Sequence, residues 1–197
     1  MIIYVTKETF ERYKFKMPED FSDPIVGTVA NAVLQRESGD RLLEWGGKLF
    51  YFDRRKCLQV VNFASKLTFV LVDIKMDDRE YIGNIIANYM FKLYDGNKKM
   101  TRLLERLFKE HPAVCFSRLK DKSIIATLNH TQTDYLLDGY RLGDFIRDGI
   151  LHTIELNKKI NRDWLFTQKI GGRTEYIYPA ERFEQLMYER YDAHNIH

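Results

Sequence analysis

The residues of this chain that could carry catalysis lie in one polar stretch, from Thr127 to Asp134. On a helix, His130 and Asp134 would lie one turn apart on the same face, so the carboxylate could orient the imidazole for acid–base work. A nucleolytic site would also place a cation such as Lys122 beside that histidine. If they act in catalysis, these residues predict a metal-independent nuclease centred on His130. The alternative interpretation is an ordinary His–Asp pair on a solvated helix.

A second set of residues is basic and could bind phosphate groups, since a guanidinium group can bind two phosphate oxygens at once. The cations are Arg54, Arg55 and Lys56 at a predicted turn, and Arg102, Arg106 and Lys109 on the polar face of a predicted helix. The stretch 98–122 holds eight Lys or Arg against three Asp or Glu, and the segment 158–173 adds five more Lys or Arg. These clusters predict a surface for RNA, a nucleoprotein or an acidic protein partner. The alternative is a set of solvated surfaces.

Motifs for a metalloprotease, a serine hydrolase or a dinucleotide-binding enzyme are absent from the sequence. The chain has no HExxH, GxSxG or GxGxxG motif. Gly46-Gly47-Lys48 resembles the end of a phosphate loop, but the upstream glycine and the following Ser or Thr are not in place, and a two-glycine hairpin turn explains it better. Cys57 and Cys115 are too few and too far apart for a zinc site. We therefore predict that the protein binds no metal ion and no organic cofactor.

Length and composition indicate one α+β domain spanning residues 1–197. At 45% hydrophobic and 30% charged residues, with a net charge of +3, the mixture is that of an ordinary globular protein and does not by itself indicate nucleic-acid binding. The 14% aromatic content favours an aromatic-rich core or contacts with a protein partner. The apolar run Ile2–Val5 is too short for a secretory signal, and no later run could span a membrane. We expect a cytoplasmic protein with two reduced thiols.

The hydrophobic patterns predict an antiparallel β meander in the first half of the chain, packed with helices that come mostly from the second half. Four short β-prone runs make up the meander: residues 42–45, 49–52, 57–63 and 67–72. Further strands are expected at 2–5, 113–119 and 176–178. Helices are predicted at 25–34, 81–94, 98–110, 123–137, 145–160 and from Pro179 onward. The clearest helical period is that of the predicted helix 98–110, whose apolar face carries Leu103, Leu104, Leu107 and Phe108.

Several short segments, spread over most of the chain, resemble a family of bacterial proteins that carry a domain of unknown function. The segments are Ile2-Ile3 running into Thr6-Lys7, Trp45 through Asp53-Arg54-Arg55-Lys56-Cys57, Asn62, Ser123–Asn129, and Asn161-Arg162 leading to Tyr176-Ile177-Tyr178-Pro179. This chain has Asn129-His130 where the family tends to carry Asn-Asp, and the family implies no activity. The overall look of the chain is also similar to accessory proteins of Firmicute phages and plasmids, among them type II-A anti-CRISPR inhibitors.

Three functions are consistent with these patterns. The first is a non-catalytic binding protein, such as an anti-CRISPR-like inhibitor from a mobile element. It would bind RNA or a nucleoprotein such as a Cas9-type effector through its basic surface. The second is the metal-independent nuclease centred on His130. The third is a structural or oligomeric module, and the sequence leaves the oligomeric state open. The absence of a catalytic motif favours the first function.

Overall fold

The computed structural model describes residues 1–137, 139 and 141–192, apart from the side chains of residues 134, 135 and 137. Within that part of the chain the strands are β1 Ile2–Val5, β2 Glu44–Phe52, β3 Arg55–Asn62, β4 Thr68–Val72, β5 Cys115–Arg118, β6 Ile146–Arg147, β7 Ile150–Leu151, β8 Phe166–Ile170 and β9 Arg173–Ile177. The α-helices are α1 Lys7–Tyr13, α2 Pro24–Glu37, α3 Ile82–Leu93, α4 Lys98–Glu110, α5 Lys122–His130, α6 Thr153–Arg162 and α7 Pro179–Asp192. Three 3-10 segments and one π-helical segment complete the description: Pro18–Asp20, Met76–Tyr81, Leu142–Phe145 and, directly after α5, Thr131–Leu137.

The central sheet has five strands in the order β4-β3-β2-β1-β5. β2, β3 and β4 are antiparallel neighbours, whereas β1 pairs in parallel with both β2 and β5. On one face α1, α3, α4 and α7 pack around Trp45, Leu58 and Phe69. On the other face α2, α5 and α6 cover the sheet. The α+β prediction is therefore confirmed, with a meander in the first half of the chain and most helices after it.

The amphipathic pattern of α4 corresponds to its packing. Leu104 and Leu107 are buried in the core, and Leu103 and Phe108 pack partly buried against the same core. The opposite face of the helix is exposed to solvent. Among the described residues, no helix has the length and the apolar character needed to cross a membrane.

The predicted hairpin turn at Gly46-Gly47 was wrong, because both glycines lie inside the continuous strand β2. A Cβ atom on Gly46 would lie 2.2 Å from Cγ2 of Ile124, and one on Gly47 would lie 2.9 Å from Cγ1 of Val5. The two glycines therefore let α5 and β1 approach the strand closely. The meander consequently has three strands rather than four.

The helix predicted at 145–160 was wrong over its first half, where β6 and β7 form a short hairpin. Its turn is Asp148-Gly149, and both residues have positive φ, at 52° and 75°. Gly171-Gly172 makes the corresponding turn between β8 and β9, with φ of 56° and 83°. Two consecutive left-handed residues form the type of two-residue turn that suits the twist of a hairpin. Along the chain the two hairpins flank α6, and both contribute residues to the hydrophobic cluster that α6 helps to form.

One edge of the central sheet is closed by side chains of α6. Asn161 accepts the backbone N–H of Thr68 at 2.7 Å and donates to its carbonyl oxygen at 2.6 Å. Asn157, one turn earlier, does the same for Val70, at 2.7 and 3.1 Å. Each amide group replaces the backbone of a missing neighbouring strand. The outward groups of β4 at these two residues are therefore paired, which leaves no open edge there for another strand.

Candidate functional site

A cationic groove of about 590 Å³ lies between α5 and the β8–β9 hairpin. Its floor comes from the end of β3 and the connection to β4, at Phe63 and Lys66. Arg41, Lys169 of β8 and His130 of α5 also line it. The groove thus gathers residues that are more than a hundred positions apart in the sequence.

The position of α5 is set at its start and along its buried face. The side chain of Asp121 accepts the backbone N–H groups of Ser123 and Ile124, which caps the first turn. Ile124 and Leu128 are fully buried against the end of β3. Because the buried face is fixed, Ser123 and His130 are left on the exposed face that lines the groove.

The β8–β9 hairpin forms the opposite wall. Gln168 ties it to the sheet by donating a hydrogen bond from Nε2 to the carbonyl oxygen of Ala64 at 2.7 Å. The hairpin leaves two large apolar side chains exposed beside the groove, with Tyr176 75% exposed and Leu165 43% exposed. An exposed tyrosine next to cations offers a flat surface on which a planar ligand can stack.

Lys66 is the most unusual cation of the groove, because it is only 6% exposed. Its backbone has a left-handed conformation, with φ at 62°, and its N–H donates to the carbonyl oxygen of Asn62. The buried side chain of Asn62 in turn accepts the N–H groups of Ala64 and Ser65, so the whole connection is fixed. Burial lowers the pKa of Lys66, repulsion from Arg41 lowers it further, and attraction to the carboxylate of Asp121 partly opposes both effects.

Arg41 is held in place beside Lys66 by three contacts, one of which is an ion pair with Glu44 at 4.0 Å. Its guanidinium group lies 4.5 Å from the centre of the Phe63 ring and 3.2 Å from a carboxylate oxygen of Asp121. Lys66 itself has no ion-pair partner within 4.0 Å among the residues that the structure describes. Asp121 attracts Lys66 without forming an ion pair with it, so an anionic ligand in direct contact would further offset the cost of burying this cation. Of the described residues that line the groove, three are Lys or Arg and none is Asp or Glu.

The amino-acid sequence matches the model of one protein family over most of its length. The model of a domain of unknown function, DUF6933, matches residues 2–182. The chain belongs to the DUF6933 family. Comparison with curated proteins gives no match. The predicted resemblance to an uncharacterised family is therefore confirmed, while the family assigns no activity to the groove.

The residues that carried the resemblance to such a family have structural roles in this DUF6933 chain. Trp45 and Asn62 are fully buried in the sheet region, and Asn161 closes the β4 edge. Gly46 accommodates Ile124 of α5. These segments therefore specify the fold, and the cationic groove has to be argued from its own geometry.

The predicted basic turn lies at the β2–β3 hairpin, away from the groove. Asp53 and Arg54 form the turn proper, with φ of 47° and 65°, and both are exposed. Arg55 is paired with Asp73 at 3.2 Å, and the ammonium group of Lys56 lies 4.4 Å from the centre of the Tyr13 ring. Two of the three cations are thus engaged within the protein, and none of the three lines the groove.

The predicted cations of α4 lie on the exposed face of that helix. Arg106 is paired with Glu110 at 2.8 Å and stacks over the Tyr191 ring. Arg102 and Lys109 are exposed. α4 packs against α3 and α7, on the face of the sheet opposite to α5. The structure therefore does not bring these cations together with the groove.

The predicted catalytic residues are only partly brought together. His130 lines the groove, but Lys122 lies two helical turns earlier, about 12 Å along the axis at 1.5 Å per residue. The side chain of Asp134 falls outside the described residues. Among the side chains that the structure describes, no three His, Cys, Asp or Glu residues cluster closely enough to hold a metal ion.

Sequence reasoning missed the importance of Lys66 and Arg41. Lys66 stands in a short polar stretch, Ala64-Ser65-Lys66, and is typical there of a solvated turn. Lys169 belonged to the basic segment 158–173, but its proximity to α5 has no signal in the sequence. The buried Asn62 that organises the connection was the only nearby hint, since it was one of the residues that resembled the family.

Proposed function

We propose that this protein is a non-catalytic binding protein whose groove between α5 and the β8–β9 hairpin holds a strand of RNA, free or as part of a nucleoprotein. The observation that carries the proposal is Lys66, a buried cation that lines the groove without an ion-pair partner among the described residues. A phosphate group entering the groove would give Lys66 a direct ion-pair partner.

An RNA strand fits the groove better than an isolated phosphate ion does. The volume of about 590 Å³ leaves room for a sugar and a base beside a phosphate. Tyr176 is exposed next to the cations, and binding of single strands commonly combines a positive groove with an aromatic side chain on which a base stacks. Two further exposed cations stand on the elements that form the groove, Lys122 as the first residue of α5 and Arg173 in β9.

The partner that we infer is an RNA-containing machine of the cytoplasm. The two cysteines, Cys57 and Cys115, are free and buried, which suits a reducing compartment. The similarity of the sequence to type II-A anti-CRISPR inhibitors gives the proposal its most specific form, an inhibitor of a Cas9-type effector that occupies the effector's RNA-binding surface or its guide RNA. The groove supports the RNA contact, and the effector is the part of the proposal that rests on the similarity alone.

Binding to a fluorescein-labelled oligouridylate, followed by fluorescence anisotropy over a salt series, tests the RNA contact. We expect saturable binding whose affinity falls as salt rises, with a log–log slope of about −0.7 for each phosphate neutralised on a single strand. The matched measurement uses the same oligomer with methylphosphonate linkages, which carry no charge, and should give at least tenfold weaker binding. Absent binding at low salt, or binding that salt does not change, would contradict the proposal.

A nuclease is the second candidate, because His130 lines the same groove as Lys66. The same oligomer, analysed on a denaturing gel after incubation in EDTA, separates the two functions. Cleavage by the wild-type protein that His130→Ala abolishes, without weaker binding, would favour the nuclease. Intact RNA under conditions of full binding would favour the binding protein.

A further inference from the structure

An apolar groove of about 490 Å³ lies beside β5, at the opposite edge of the central sheet from β4. α2, the connection between α1 and α2, and the start of α3 surround it. Phe116 of β5 lines it, with its ring stacked 3.8 Å from that of Phe15. The apolar surface continues onto α2, where Ile25, Val26 and Val29 are exposed by 74%, 43% and 52%. Large aliphatic side chains so exposed on one helix face indicate a contact surface.

The backbone of β5 is open on the side away from β1. Cys115 and Leu119 donate their N–H groups to β1, at the carbonyl oxygens of Met1 and Val5. Because successive residues of a strand point their backbone groups to opposite sides, Phe116 and Arg118 direct theirs away from β1. Among the described residues, no side chain or backbone group binds these outward groups. The β4 edge differs, since Asn157 and Asn161 pair the corresponding groups there.

The rim of the groove is mostly positive. Lys14 and Lys16 are exposed in the connection after α1, and Arg79 lies in the 3-10 segment Met76–Tyr81 that precedes α3. Glu80 is the single acidic residue among the described lining residues. Arg118 adds an exposed cation at the end of β5. A ligand that complements this surface would carry apolar side chains for the groove and negative charge for its rim.

We propose that β5 is a docking edge for an extended segment of a partner protein, with apolar residues alternating with Asp or Glu. The segment adds a strand next to β5, and its backbone pairs with the outward groups of Phe116 and Arg118. Its apolar side chains enter the groove and its carboxylates meet the cations of the rim. An extended segment is favoured over a helix, because only a strand can pair with the open backbone groups of an edge. This surface lies at the β5 edge and does not depend on the RNA groove.

A short fluorescein-labelled peptide of alternating valine and glutamate is the probe for this edge. We expect it to bind the full chain in fluorescence anisotropy, and to protect the amide of Phe116 from hydrogen exchange. Two control peptides sharpen the test: one N-methylated on the residues that would pair with β5, and one with lysine in place of glutamate. Both should bind at least tenfold more weakly, since one lacks the backbone donors and the other is repelled by the rim.

The variant pair Arg118→Pro and Arg118→Ala separates backbone pairing from charge. Both substitutions remove the guanidinium group, but only proline also removes the N–H of residue 118. Because that N–H points away from β1, its loss leaves the hydrogen bonds between β5 and β1 intact. We expect Arg118→Pro to bind the peptide about tenfold more weakly than Arg118→Ala.

The proposal would be overturned if the two variants bound the peptide equally, if the N-methylated peptide bound as well as the unmodified one, or if no peptide bound. A concentration-dependent dimer that Arg118→Pro abolishes would also overturn it, because the occupant would then be a second copy of this chain. If Arg118→Pro fails to fold, the N-methylated peptide on the wild-type chain decides the question.

Discussion

Two groups of cations in this protein differ in what surrounds them. At the β2–β3 turn, Arg55 is paired with an aspartate and Lys56 lies over an aromatic ring. In the groove, Arg41 is likewise paired, with Asp121 at 3.2 Å, but Lys66 is almost fully buried and has no ion-pair partner within 4.0 Å among the described residues. The turn is dense in charge along the sequence, whereas the groove is assembled from cations that are far apart in the sequence. A dense run of charge can be satisfied within the protein, and a buried cation without a direct ion-pair partner is the stronger sign of a ligand.

The largest effect that distinguishes the two groups should come from Lys66→Met. Methionine keeps most of the volume of the side chain and removes its charge. We expect the affinity for oligouridylate to fall about 30-fold or more, because one partner of a buried charge contact is lost. Fluorescence anisotropy at fixed salt measures the change, with Lys56→Met as the matched control at the turn. A Lys66→Met protein that binds as the wild type does would remove the basis of the proposed function.

A smaller loss should follow removal of the aromatic side chain beside the groove. We expect Tyr176→Ala to weaken binding about tenfold, within the range of 1–3 kcal/mol for a base stacked on an aromatic ring. Tyr51→Ala is the control, because Tyr51 is also exposed, at 61%, but stands next to the basic turn. If Tyr51→Ala weakens binding and Tyr176→Ala does not, the RNA contacts the basic turn and the proposed stacking on Tyr176 is wrong.

Lys66→Met should also stabilise the free protein, by about 0.5–2 kcal/mol in urea-induced unfolding. Burial holds the pKa of Lys66 below the ordinary 10.5, so the folded state carries the cost of a desolvated ammonium group at neutral pH. As pH rises through the lowered pKa toward 10.5, the unfolded chain binds more protons than the folded chain at this residue, and that cost is relieved. The gain from Lys66→Met should therefore shrink between these two pH values. A gain that stays constant across that range would mean that the charge of Lys66 costs nothing.

The smallest effect is expected from reversing the turn. Arg54→Glu combined with Arg55→Glu should change the affinity for oligouridylate by no more than about threefold at physiological salt, through long-range repulsion alone. The sequence on its own predicts the opposite, that this turn is the main contact. Anisotropy on the double variant decides between the two, provided that its melting temperature stays near that of the wild type. If the double variant loses more affinity for oligouridylate than Lys66→Met does, the RNA-binding site lies at the β2–β3 turn.

The fold was predictable where the signal is local. The period of α4, the β-prone runs of the meander and the Pro179 start of α7 all follow from neighbouring residues. The two turns Asp148-Gly149 and Gly171-Gly172 were local signals as well, but the apolar residues around the first also fit a helical period. The hairpin turn predicted at Gly46-Gly47 was wrong, because the sequence does not distinguish a glycine pair in a turn from one in a closely packed strand.

The groove was not predictable, because its chemistry depends on burial. Lys66 and Arg41 are single cations in ordinary polar stretches, and only the packing of α5 and the hairpin brings them together. His130 was the one lining residue that its sequence context singled out for its chemistry. The closed β4 edge had a partial signal in Asn157 and Asn161, one helical turn apart, but an asparagine pair does not reveal that it faces a strand. Long-range contacts of this kind have no pattern within one segment.

The central claim is that RNA binds at Lys66 in the groove. The most direct test records the NMR signals of Lys66 and of Lys56, at the turn, in the same sample. Labelling the lysine side chains with ¹³C at Cε lets NMR record Lys66 and Lys56 separately, with the two methionine variants providing the assignments. We predict that saturating oligouridylate shifts the Lys66 resonance and raises the pKa of Lys66, because a phosphate then stabilises its charged form, while Lys56 stays unchanged. A shift confined to Lys56, with Lys66 unaffected, would contradict the account.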